Sequence, residues 1–148
     1  FTDYAHKLRT VWMPKGVSAR YQPFDAMDFP VGTIISKTFF SPLPAGEQRN
    51  DHDVARTEDA SRDFAGEGLD LRHVHLIETR LLVRRKDGWV RFPYVWNAQQ
   101  TEATLRRTGA EEKLVLVGDD GQRIETTIAG AQTLDYFQRV IDEMLKLP

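Results

Sequence analysis

The sequence predicts a mostly-β protein: an antiparallel sheet closed into a sandwich or barrel-like form, with a C-terminal amphipathic α-helix. An α+β arrangement is the alternative. Three observations carry this reading. Stretches of β-branched and aromatic residues alternate with period two, as at Ile34-Ile35-Ser36-Lys37-Thr38-Phe39-Phe40 and Leu76 to Val83. Turn signals built on glycine separate them, at Pro14-Lys15-Gly16, Asp87-Gly88 and Asp119-Asp120-Gly121. A stripe of Leu134, Phe137, Ile141, Met144 and Leu145 then follows at helical spacing.

The longest element is a β-hairpin across residues 72–97. Asp87-Gly88 would be its two-residue turn, of the type that needs positive φ. That turn sets Lys86 against Trp89, Val83 against Phe92, Leu81 against Tyr94 and Thr79 against Trp96. Alternation gives one apolar face of Ile77, Thr79, Leu81, Val83, Val90, Phe92, Tyr94 and Trp96. The other face mixes Glu78, Arg80, Arg84 and Arg91 with Val74, Leu76, Leu82 and Trp89. Pro93 has no N–H to give to a ladder, so a bulge, an edge or a strand end is expected near Phe92-Pro93.

The remaining elements follow in order. Leu8 to Met13 reads as a short strand, and Val17 to Tyr21 as a second, ended by Gln22-Pro23. Residues 41–71 are polar, of mixed charge and without a sustained period, which is the pattern of a long surface insertion. Gln99 to Leu105 fits either a strand or a short helix. Lys113 to Val117 and Arg123 to Ile128 form a second hairpin. Thr133 caps the terminal helix, near 133–146, and Pro148 stops it.

With 148 residues, the chain is read as a single domain, 1–148, large enough for a core. A net charge of −2 and the lack of a basic stripe interleaved with aromatics argue against nucleic acid as a partner. No apolar run reaches the roughly 18 residues of a transmembrane segment. Phe1-Thr2-Asp3-Tyr4 has neither an initiator Met nor signal-peptide character, as expected of a processed or trimmed chain. Cysteine is absent, which excludes disulfides, thiolate zinc sites, thiol catalysis and thioether-linked haem within these residues.

Candidate site residues are few. His73 and His75, two apart on a strand, project to the same side and can ligate one transition metal if His52 or an acidic neighbour from Asp51-His52-Asp53 completes the set. The plainer account leaves both at the strand entrance without a metal. Glu78 and Arg80 share a face and can organise a binding pocket, although a partly buried structural ion pair is the commoner outcome of that pattern. Lys37, among aromatics, is a candidate nucleophile of lowered pKa, but lysines on sheet surfaces more often snorkel. Trp12, Trp89, Tyr94 and Trp96 can wall a flat cofactor such as non-covalent haem, or simply fill a core. No nucleophile elbow and no glycine-rich phosphate loop is present.

Several motifs in series resemble a known family: Phe1-Thr2-Asp3-Tyr4-Ala5, Val11-Trp12-Met13-Pro14-Lys15-Gly16, Phe29 to Phe39, Leu76 to Leu82, Gly88-Trp89-Val90, Tyr94-Val95-Trp96-Asn97 and Thr101-Glu102-Ala103. The family is the β-rich domain that precedes the haem segment of exported bacterial di-haem c-type cytochromes, together with its uncharacterised secreted relatives. A more distant likeness is to the P460-type haem domains. The resemblance covers most of residues 1–103 apart from 41–71, and it ends where those cytochromes continue into Cys-x-x-Cys-His sites. Residues 104–148 hold neither cysteine nor histidine. The resemblance implies a periplasmic or extracellular, redox-associated setting and a protein partner such as a c-type cytochrome. The expectation is a non-catalytic accessory or docking module of an electron-transfer assembly. The alternative is a redox enzyme or sensor that uses His73 and His75 for a metal or non-covalent haem.

Overall fold

The computed structural model describes residues 5–46 and 52–129. Ten strands, and no helix among the described residues, run in the order β1 (His6–Trp12), β2 (Ile34–Pro42), β3 (Asp53–Ala55), β4 (Phe64–Ala65), β5 (Gly68–Leu69), β6 (Val74–Arg85), β7 (Gly88–Trp96), β8 (Ala103–Leu105), β9 (Glu111–Val117) and β10 (Arg123–Ala129). The mostly-β, antiparallel expectation holds. The predicted helix near 133–146 lies outside the described residues. No described helix could cross a membrane by length and apolarity.

Three sheets form. The large one is antiparallel in the order β1-β2-β6-β7-β8. A three-stranded sheet follows the order β10-β9-β3, with β3 parallel to β9. The short β4–β5 hairpin is separate. The larger core cluster lies between the first two sheets: Phe39 and Ile77 meet Val54, Leu114 and Leu116, with Val95 and Ile128 packed at its margin. A smaller cluster of Phe40, Val74 and Leu76 fills one end of the opposite face, with Leu8, Leu69 and Trp96 against it. Phe40 meets His6 and Phe64 edge to face.

The central hairpin forms, with its register displaced from the expected one. Arg85 pairs with Gly88, Val83 with Val90, Leu81 with Phe92 and Thr79 with Tyr94. The turn residues are therefore Lys86-Asp87, not Asp87-Gly88. Asp87 keeps a negative φ, so the doubly positive turn is not made; Gly88, at φ +136°, closes the turn as its last residue. A displacement that preserves the strand parity leaves the side chains from Thr79 to Tyr94 on their expected faces.

Pro93 causes no bulge in that pairing. It sits opposite Arg80 in register, and its carbonyl accepts from Arg106 N–H at 2.9 Å on the β8 side. Since β8 pairs only as far as Tyr94, the ladder does not call on a Pro93 N–H. The bulge lies elsewhere. Phe39 pairs with Glu78 and Phe40 with Leu76, which leaves Ile77 as an extra residue in β6. Ile77 thus leaves the apolar face expected for it and joins the inter-sheet core, and Leu76 takes the vacated face.

Two further expectations change. Val17 to Tyr21 makes no strand; only an isolated Arg20–Asp28 bridge forms there, reinforced by their side-chain ion pair at 2.8 Å. The described part of 41–71, though mostly exposed between residues 56 and 68, is not a featureless surface insertion. It supplies β3, β4 and β5 and buries Val54, Asp53, Asp63 and Asp70. Local polarity misled because each of those carboxylates is engaged by a cation or imidazole distant in sequence or in the adjacent turn. Ala103–Leu105 resolves to a strand, and the second hairpin pairs Arg123 with Val117 through Ala129 with Glu111.

Replacing Gly88 tests the turn. A Cβ there meets nothing within 4 Å, so only the backbone conformation opposes a side chain. Gly88→Val is expected to cost about 1–2 kcal/mol in urea unfolding. An unchanged midpoint would contradict the turn as described.

Candidate functional site

Of the ionisable side chains named from sequence, Glu78, Arg80, His73 and His75 are drawn into internal pairs. Glu78 is 2% exposed. Its Oε1 accepts from Arg80 Nε and its Oε2 from the Ala110 backbone N–H at 2.8 Å. The pair expected on one face therefore forms, and it ties the large sheet to the segment entering β9. His75, nearly buried, bonds through Nε2 to Glu112 Oε1 at 2.9 Å, again from the large sheet to β9. His73 precedes β6 and bonds through Nδ1 to Asp70 Oδ2 at 3.0 Å. His52 is exposed, and its carbonyl accepts from Val115 N–H at 2.9 Å. The three histidines thus engage three different neighbourhoods. Among the described residues, no group of three or more His, Cys, Asp or Glu is placed to hold a metal ion.

Asp70 is a strongly perturbed carboxylate. Hydrogen bonds from the Arg72 side chain at 2.8 and 2.7 Å, opposed by desolvation and aided by the Arg72 backbone N–H and charge, hold it well below the usual carboxylate range. His73 adds a further bond. The pKa of Lys37 is lowered too, which for a lysine disfavours the charged form. Desolvation, then the charges of Arg9, Lys7 and Arg80, push its ammonium below the ordinary 10.5.

The aromatic candidates do not converge. Residues of one face of the large sheet stand in rungs: Trp12, Ile34, Val83 and Val90; Thr10, Ser36, Leu81 and Phe92; Leu8, Thr38, Thr79 and Tyr94; and finally His6, Phe40 and Leu76, with Trp96 packed against that end. Trp12 and Trp96 occupy opposite corners, and Trp89 lies on the other face, edge to face with Phe29 at 5.9 Å and near Arg84. A three-tryptophan wall is not formed. Tyr94 and Trp96 do share a face, and Trp96 Nε1 donates to Thr79 Oγ1 at 3.0 Å, with Thr38 Oγ1 2.9 Å from the same hydroxyl. A second hydroxyl rung joins Thr10 and Ser36 at 2.6 Å. Beyond the cluster around Phe40, this face is half-buried, and at its margins Trp12 is 57% and Leu105 48% exposed.

Three contributors had no local signal. His6 lies 2.6 Å through Nδ1 from Asp63 Oδ2 and donates through Nε2 to the Thr57 carbonyl at 2.9 Å, which pins the segment before β4 to β1. Gln100, at φ +59°, takes the N–H and carbonyl of Leu76 with its amide, where β7 has ceased to pair with β6. Asn97 holds the 97–102 turn through Thr101 N–H at 2.9 Å and Glu102 N–H at 3.3 Å. Positions 57 and 24 residues apart meet only through the fold.

Together these features define a mostly antiparallel β-protein, two packed sheets with a short separate hairpin, whose described acids and histidines serve largely to join its parts. No family model matches the chain, and neither a curated protein nor a solved structure matches it.

Two substitutions test the pairs. Glu78→Ala leaves Arg80 and the Ala110 N–H without their acceptor and is expected to cost about 3–5 kcal/mol in denaturant unfolding. For Asp70 the folded pKa is depressed, so its contribution is full above the unfolded value near 3.8 and is lost as pH falls through the lower folded value. Asp70→Asn should therefore lower the thermal midpoint at pH 7, with the difference from the parent shrinking as pH drops below that range.

Proposed function

We propose that this chain is a non-catalytic docking module of an extracytoplasmic electron-transfer assembly, and that the aromatic face of its large sheet receives a protein partner of the c-type cytochrome kind. The observation that carries the reading is that face itself. Strands about 4.8 Å apart and rungs about 6.6 Å apart make it roughly 20 Å on each side, enough for the apolar centre of a standard protein interface. Phe92, Tyr94 and Trp96 alternate along one strand, with Thr and Ser hydroxyls between apolar rungs. Aromatic rings beside satisfied hydroxyls suit a partner surface that must be bound and released. The motif resemblance over most of residues 1–103, apart from 41–71, suggests the redox setting and the bacterial periplasmic or extracellular location.

Catalysis has less to draw on among the described residues. Glu78, Asp70, Asp53 and Asp63 each meet a cation or imidazole, and His6, His73 and His75 each meet a carboxylate. Non-covalent haem on the aromatic face would need an axial ligand, and the imidazole on that face, His6, has both ring nitrogens engaged.

The test uses the two exposed margins. Trp12→Arg with Leu105→Arg should leave the far-ultraviolet spectrum unchanged, because both positions face solvent. Haem absorbance that co-elutes with the parent chain from its native compartment should be lost with the double variant. If the haem protein elutes equally with the variant, or none elutes with the parent, the docking reading fails.

A further inference from the structure

We propose that the opposite face of the large sheet carries an anion-binding site, formed by Lys7, Arg9, Lys37 and Arg80, that takes a small multivalent oxyanion of phosphate or polycarboxylate type. The site stands apart from the docking face and does not depend on that reading.

The strand register creates it. Arg9 pairs directly with Lys37, and Lys37 directly with Arg80, so three cations stand side by side across β1, β2 and β6. Lys7 adds a fourth, one rung away beside Phe39. Like charges placed directly opposite on neighbouring strands repel and destabilise a sheet. The acid in the adjoining rung, Glu78, is buried, with one oxygen taken by Arg80 Nε and the other by the Ala110 N–H. It therefore neutralises one charge of the four and has no oxygen left for the others. Among the described residues, Lys7, Arg9 and Lys37 form no salt bridge.

The cluster is also partly ordered in advance. The Phe39 ring, buried at the core edge, lies 4.7 Å from Lys37 Nζ and 4.6 Å from the Arg80 guanidinium carbon. One ring thus anchors two cationic ends, and Glu78 fixes Arg80 through Nε, which leaves the guanidinium's terminal nitrogens as donors. Desolvation first, and then the charges of Arg9, Lys7 and Arg80, already lower the proton affinity of Lys37. An oxyanion seated among these ends relieves the repulsion, accepts several charge-assisted hydrogen bonds and favours the protonated Lys37. A single monovalent ion offers less, since it can offset one charge of a row spread over three strands.

The experiment titrates the intact chain with inorganic phosphate, pyrophosphate and citrate at constant ionic strength, by calorimetry and by thermal midpoint. Binding is expected to raise the midpoint and to shift the amide resonances of residues 7, 9, 37 and 80. Arg9→Gln and Lys37→Gln should each weaken binding by about tenfold or more. Arg9→Gln, at an exposed position, should also raise the midpoint of the anion-free chain while diminishing the rise caused by the anion. A preference for pyrophosphate assigns a phosphate ligand, and a preference for citrate a polycarboxylate. The proposal is overturned if chloride at matched ionic strength reproduces the whole effect, or if both variants bind as the parent does.

Discussion

The fold depends on what the extra residue in β6 does to Ile77 and Glu78. A regular strand would send them to opposite faces. With Ile77 inserted, both serve the inter-sheet side, Ile77 as core and Glu78 as a buried acceptor opposite Phe39. A carboxylate with 2% exposure is tolerable only when its lost hydration is replaced, and here Arg80 and the Ala110 N–H replace it. The second of those bonds reaches the chain just before β9. The large sheet is thereby joined to the small one by a charge-assisted bond as well as by Phe39, Ile77, Leu114 and Leu116.

From that constraint the two faces of the large sheet take different characters. One is closed near Phe39 by β9 and its neighbours, and beyond the closure it presents cations in a row. The other is closed near Phe40 by the segment carrying β5, and beyond that it presents aromatic and hydroxyl rungs. The closures are held by polar pins set into apolar clusters: His75 to Glu112 on the first side, His6 to Asp63 on the second. Where β7 stops pairing with β6, the Gln100 amide replaces a strand by meeting both backbone groups of Leu76.

Histidines and acids therefore work here mainly as connectors. A His–carboxylate pair can mark a catalytic base or a metal ligand, yet the same pair at a junction satisfies buried polar groups that packing would otherwise leave unpaired. The His6–Asp63 and His75–Glu112 pairs join elements distant in sequence, β1 to the segment before β4 and β6 to β9. That placement is what a small two-sheet protein without cysteine needs in order to hold its irregular segments down.

Alternation along single strands was legible from sequence, and so was the β-rich class. Face membership survives an error of turn placement, because pairing Val83 with Val90 instead of Phe92 preserves parity. The second hairpin, around Asp119-Asp120-Gly121, was legible for the same local reasons. Register, bulge and long-range pairing were not. Ile77 carries no mark of being the extra residue, since a bulge is set by what the partner strand offers. The polar 41–71 stretch hid a core residue, Val54, because its acids find cations and imidazoles through the fold, Asp53 at Arg123 and Asp63 at His6. The row of Arg9, Lys37 and Arg80 is scattered over more than seventy positions of chain, and the three become neighbours only when two independent registers are set. Sequence determines which way side chains lean along an unbroken strand; tertiary structure decides where a strand bulges and which strands lie beside it, because that depends on packing between segments that local propensity does not see.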